Sequence, residues 1–207
     1  MIEAWGELNV RDTFAEAART FTDLVPRVPQ NRWEGPGLGE WNLRSLVGHT
    51  SRSLITVETY LSQPVATEEV PTAAAYYVAL AELDHGGVVA RGVHAGEALG
   101  ENPAEFVAAL TQRVLAQVET AGNPLIHTAA GGMHLENYLS TRTFELVVHS
   151  LDIAVAVPEI EALEFSDQLL SEVARVAATA AVLRGRGIEL VLALTGRGSL
   201  SPGFSMV

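Results

Sequence analysis

The chain of 207 residues contains no cysteine. It can form no disulfide, offers no thiolate to a metal and has no thiol nucleophile of its own, so any sulfur chemistry needs a thiol brought in from outside. Positive charge is scarce as well. Thirteen basic against 25 acidic side chains give a formal charge of −12, a field that repels nucleic-acid phosphates and anionic membranes. Long apolar runs are missing too, since apolar stretches such as 188–194, itself interrupted by Glu189, fall far short of the roughly 18–20 residues that span a bilayer. The N-terminus lacks the basic-then-apolar order of a signal peptide. The expectation is a soluble cytoplasmic protein that binds neither nucleic acid nor membrane. A phosphate loop is excluded at Gly35-Pro36-Gly37-Leu38-Gly39, because no strand precedes it and no Lys-Ser/Thr follows; the segment reads as a turn.

What is present is a hydrophobic share of 48%, enough for one substantial core, and a single domain over 1–207 is expected. Val10, Phe14, Ala17, Ala18, Phe21, Leu24 and Val25 make one helical stripe over 9–25, ended by Pro26 and Pro29. Asn42 is placed to cap a second helix, with Trp41 before it and Leu43, Leu46, Val47, Leu54, Val57 and Leu61 as its core face. After Gln63-Pro64 a third helical stretch covers 72–98, with the Gly86-Gly87 pair as a bend or interruption. Asn102-Pro103-Ala104-Glu105 opens a helix that Gly122-Asn123-Pro124 stops. Residues 125–134 read as a small β-ribbon or ordered loop ahead of a helix over 135–157, closed by Pro158. Ser166 caps a further helix to Arg184, and 188–195 with 204–207 read as a terminal hairpin. The architecture is thus mainly α, a four-helix bundle with long crossovers and a small β ribbon or hairpin near the C-terminus.

Within the helix over 135–157, Glu145 and His149 stand four residues apart and share one face. A carboxylate among Phe144, Leu146, Val147 and Val148 is costly to bury ionised without a cation or strong donor beside it. Arg142, three residues earlier, answers that need by a simple ion pair. A divalent cation answers it equally, held by Glu145, His149 and a third ligand, for which His49 in the second helix is the best candidate of the six histidines His49, His85, His94, His127, His134 and His149. Such a set suits zinc or iron(II). Asp152, three residues past His149, either accepts the other imidazole N–H or is a solvated charge. Trp33 and Trp41 read as packing residues, Tyr76 and Tyr77 as straddling core and surface, and Arg184, Arg186 and Arg197 as solvated in Gly-rich turns.

At these segments the chain resembles the mycothiol-dependent maleylpyruvate isomerases and their DinB-like relatives. The resemblance rests on Trp41 to His49, on Arg142, Glu145, His149 and Asp152, and on the ending Leu194-Thr195-Gly196-Arg197 with Pro202-Gly203-Phe204-Ser205. It implies a DinB-like four-helix bundle with a long crossover. It also implies a divalent metal, usually Zn2+, at His49, Glu145 and His149, and cytoplasmic chemistry with a low-molecular-weight thiol. About 50 residues follow the motif helix, where the thiol-dependent isomerase carries an additional C-terminal domain; the reaction expected here is therefore isomerisation or S-transfer on a small electrophile rather than on maleylpyruvate as such. Asp152 and Arg142 are the candidates for catalytic roles beside the ligands. Metal-assisted hydrolysis and a non-catalytic metal or small-ligand binding module stand as alternatives, the latter favoured by a fourth protein ligand such as His134. The expected partners are a small-molecule substrate and a thiol, and the chain is compatible with a homodimer.

Overall fold

Short polar caps start the helices that carry the core. Asn9 accepts a hydrogen bond from the Arg11 amide, Asn42 from that of Ser45 and Ser166 from that of Leu169, each meeting an amide that the helix itself leaves unpaired. The computed structural model describes residues 9–81 and 87–205. In chain order its elements are α1 (Val10–Leu24), α2 (Leu43–Leu61), α3 (Ala73–Ala81), α4 (Val88–Ala98), α5 (Pro103–Thr120), β1 (Leu125–Thr128), β2 (Gly131–His134), α6 (Leu135–Ala156), α7 (Asp167–Leu183) and α8 (Gly187–Leu194).

Four of these helices form the bundle, α1 and α2 each packing against both α5 and α6. Side-chain bonds give their directions. Thr22 meets Thr111 at 2.8 Å and Arg11 reaches the Val118 carbonyl, so α1 and α5 are antiparallel. The Tyr138 hydroxyl donates to Thr56 at 2.7 Å near the start of α6, whereas His49, at the other end of α2, faces His149. Thus α2 and α6 are antiparallel too. Arg44 bonding the Gly100 carbonyl and Arg113 bonding Glu58 make α2 and α5 parallel. The order is up, down, down, up, and the parallel pair forces the long crossover that holds α3 and α4. Phe14, Phe21, Leu24, Leu46, Leu54, Leu110, Tyr138 and Leu139 are buried in the centre.

The helical stretch expected over 72–98 is split. Thr72 caps α3 through its hydroxyl, and Gly87, at φ +87°, opens α4; Gly86 of the expected bend lies outside the described residues. The ribbon at 125–134 is a β-hairpin with Leu125 opposite His134 and Thr128 opposite Gly131. The terminal hairpin is corrected: 187–194 is helix α8, and 206–207 lie outside the described residues. A short apolar run does not reveal its own period. Here Leu and Ala favour helix, Arg186 pairs with Glu189 three residues on, and Gly185 and Gly196, both at positive φ, bound the segment. Arg186 also bonds Ser201 and lies over the Phe204 ring, so it is not the solvated residue expected. Tyr76 and Tyr77 are likewise buried rather than straddling the surface, because α3 lays them against α6.

The contact that matters most for the site is α2 against α4. A Cβ on Gly48 would lie 2.2 Å from the Gly96 nitrogen, and one on Gly92 would lie 2.5 Å from the Trp41 ring. Two backbones therefore touch beside His49, and the indole fills the space left at Gly92. Gly48→Ala is expected to push α4 off α2 and destabilise the fold by about 1–3 kcal/mol, read from the midpoint of chemical denaturation.

Candidate metal centre

Position 145 on α6 faces inward with its neighbours Phe144, Leu146 and Val147 buried, and the Glu145 side chain is only 20% exposed. Its charge is answered locally. The Tyr77 hydroxyl donates to Oε1 at 2.9 Å and is held in place by its 3.1 Å distance from the Thr141 carbonyl. Nε2 of His149, one turn on, lies 3.2 Å from Oε2. On the opposite side of that imidazole, Nδ1 stands 2.9 Å from Asp152 Oδ2. Asp152 is thus the partner of a site histidine rather than a solvated charge.

Arg142 does not form the ion pair with Glu145 that offered the simpler reading. Its Nε donates to the Thr141 hydroxyl at 3.0 Å, and its guanidinium lies over the rings of Tyr138 at 4.8 Å and Tyr76 at 5.5 Å. Burial and stacking fix it as a nearby positive charge, not as a clamp on the carboxylate.

His49 comes from α2. Its ring sits 5.0 Å from that of His149, nearly perpendicular at 82°, and Trp41 covers its other side at 4.3 Å. The indole N–H donates to the Val89 carbonyl on α4, so the wall is anchored to two elements. Nδ1 of His49 is buried and has no hydrogen-bond partner among the described residues, although a buried polar atom is ordinarily paired. Donor atoms of His49, Glu145 and His149 all lie within 4.8 Å of one another, and this is the group among the described residues able to hold a metal. Three ligands at about 2.0–2.1 Å from a tetrahedral ion stand about 3.3 Å apart. The Glu145 and His149 donors already meet that span. An orphaned imidazole nitrogen and a donor set of two nitrogens and one carboxylate oxygen both fit a divalent cation.

The other histidines are elsewhere. His134 caps α6 and approaches the Asn123 carbonyl at 3.0 Å; it precedes Glu145 by eleven residues, about 16 Å along the axis. His127 is exposed and His94 faces Glu97 on the surface, while His85 lies outside the described residues. Sequence reasoning missed Tyr77. Its only signal is its place in an apolar helix, which names no partner.

A family model described as the mycothiol maleylpyruvate isomerase N-terminal domain matches residues 14–154, a span that includes all three converging side chains. The chain belongs to this family. The mycothiol maleylpyruvate isomerase N-terminal domain family is one of mycothiol-related, DinB-like metal-binding domains, and the bundle and its His, Glu and His cluster agree with that. No curated protein matches the chain, nor does any solved structure. Among the described residues no helix is long and apolar enough to cross a membrane.

Charge states follow from these contacts. Burial, together with the neighbouring His149, lowers the His49 pKa to about 4, leaving a neutral ring ready to ligate. For His149 burial opposes the charge, but the bonds to Asp152 and Glu145 outweigh it and raise the pKa from 6.5 to about 9. Burial likewise works against the Glu145 carboxylate, and His149, Arg142 and Tyr77 overcome it, bringing the pKa down to about 2. A proton on His149 thus supplies the positive charge in the metal-free protein. The His149 contribution to stability is complete below its unfolded value of 6.5 and is lost as pH rises through about 9. Metal-free protein is expected to lose on the order of 2–3 kcal/mol between those pH values, measured by denaturation across pH, and His149→Gln to flatten that profile.

Proposed function

We propose that the protein is a cytoplasmic divalent-metal enzyme that uses a low-molecular-weight thiol of the mycothiol type for isomerisation or S-transfer on a small electrophile. The observation that carries the reading is that donor atoms of His49, Glu145 and His149 lie within 4.8 Å of one another, with His49 Nδ1 buried and without a hydrogen-bond partner among the described residues. Zinc suits two imidazoles and a carboxylate, and three protein ligands leave a position for an exogenous group. Such an ion lowers the pKa of a thiol or water brought to it, which makes a nucleophile available near neutral pH. Absence of cysteine from the chain fits a thiol supplied from solution.

The remaining residues prepare the donors. Asp152 accepts a hydrogen bond from the Nδ1–H of His149 and so leaves Nε2 facing Glu145. Tyr77 occupies Oε1 of Glu145 and leaves Oε2 facing His149. Trp41 closes one side of His49 against water. Arg142, stacked on two tyrosines, contributes positive charge beside the cluster. Hydrolysis with the same ion is the second reading, and the identical donor set supports it. The position of His134, far along α6, does not supply the fourth ligand that a closed, non-catalytic site would use.

Purified metal-free protein is expected to take up one zinc per chain, measured by elemental analysis, and His49→Ala or His149→Ala to abolish loading. A wild-type chain that takes up no divalent metal overturns the reading, and turnover of an electrophile without added thiol selects the hydrolytic one. Because the proton on His149 must leave before it ligates, apparent zinc affinity is expected to rise about tenfold per pH unit between pH 5 and 8. Tyr77→Phe and Asp152→Asn are expected to weaken zinc binding about 10- to 100-fold in competition with a chelator.

A further inference from the structure

The pairing of α2 with α6 determines more than the meeting of His49 with Glu145 and His149. With the two helices antiparallel, each step forward along α2 matches a step back along α6. Thr56 meets Tyr138 seven residues beyond His49 and seven before Glu145, so the register holds on both sides. Arg52, one turn past His49, therefore stands level with Arg142, one turn before Glu145.

Like charges at one level of a packed helix pair are unfavourable unless something negative compensates them. In this acidic chain six of the other arginines, Arg11, Arg32, Arg44, Arg113, Arg175 and Arg186, pair with carboxylates, while Arg27 and Arg197 bond backbone carbonyls near the surface. Among the described residues no carboxylate lies within ion-pair distance of Arg52 or Arg142. Arg52 is partly buried and its guanidinium makes no hydrogen bond to a described residue. Arg142 has its own position set by the Thr141 hydroxyl and the two tyrosine rings, which leaves donors of its planar fork over. A pre-positioned fork and a second cation level with it match the shape and charge of an oxyanion.

We propose that Arg52 and Arg142 form an oxyanion subsite one helical turn from the cluster of His49, Glu145 and His149, which holds a carboxylate or phosphate of the ligand while its reacting end lies at the cluster. One turn is about 5.4 Å, the reach of a two- or three-carbon chain. The second half of this statement rests on the metal reading above; the first half stands on the two arginines alone. The subsite also gives an acidic protein a local attraction for an anionic ligand that its net charge of −12 would otherwise repel.

The test compares 3-mercaptopropionate with 2-mercaptoethanol as ligands of the zinc-loaded protein by calorimetry, with zinc content measured in the same samples. The carboxylate thiol is expected to bind about tenfold or more tightly. Arg52→Gln is expected to remove that advantage while zinc content stays unchanged. Arg142→Lys, which retains the charge and the stem over the rings, is expected to reduce it. Equal affinities in the wild type, or an advantage that survives both substitutions, overturn the proposal. In a separate arm, metal-free protein is titrated with acetate and with inorganic phosphate while the arginine Nε–H signals are followed by NMR. Saturable shifts that disappear in Arg52→Gln support the subsite, and the tighter anion identifies carboxylate or phosphate. No saturable shift with either anion overturns it. Protein that refuses zinc yet binds an anion at Arg52 sinks the metal reading and keeps this one.

Discussion

A single carboxylate in an apolar helix face organises this molecule. Glu145 lies between the buried Phe144 and Leu146, where an ionised group without compensation would cost several kcal/mol. Tyr77 and His149 supply that compensation at 2.9 and 3.2 Å, and Asp152 in turn stabilises the charged imidazole. The chain of contacts creates a standing demand for positive charge at one point in the bundle. A proton satisfies it in one state, and a divalent cation of the right size would satisfy it in another. Stability and ligand binding are thereby coupled through the same few atoms.

That point exists only because α2 packs closely on α6 and is backed in turn by α4. Glycine at 48 and 96 lets the backbones of α2 and α4 meet, and glycine at 92 admits the Trp41 ring. The indole then packs on His49 and is tied to the Val89 carbonyl. Side chains at the cluster are held from behind by packed rings and hydrogen bonds rather than by the ligand. Such support is what sets donors to within a fraction of an ångström. The antiparallel register that brings His49 to Glu145 and His149 also aligns Arg52 with Arg142, so the cluster and its flanking positive charge arise from one packing event.

Much of the fold was legible in the residues. Caps at Asn9, Asn42 and Ser166, the Pro and Gly stops, and the apolar stripe of α1 are local signals, and the helices begin and end close to them. The span 187–194 was not, because a short run of Leu, Ile and Val has no period that separates strand from helix; the neighbouring glycines and the pairing of Arg186 with Glu189 decided it. Tyr76 and Tyr77 looked amphipathic, and the docking of α3 on α6 and α7 buried them. The i to i+3 spacing of Arg142 and Glu145 allowed an ion pair, yet the rings of Tyr76 and Tyr138 drew the guanidinium away.

By itself the sequence determined the shared face of Glu145 and His149, the lack of a protein thiol and the acidic field. These follow from covalent spacing, helix geometry and composition, which need no knowledge of the fold. The tertiary structure alone decided that His49 faces His149, that Tyr77 rather than Arg142 bonds the carboxylate, and that two arginines stand level beside the cluster. Each of those depends on how one helix is rotated and registered against another, and that is settled by the packing of many side chains together rather than by the spacing of any few.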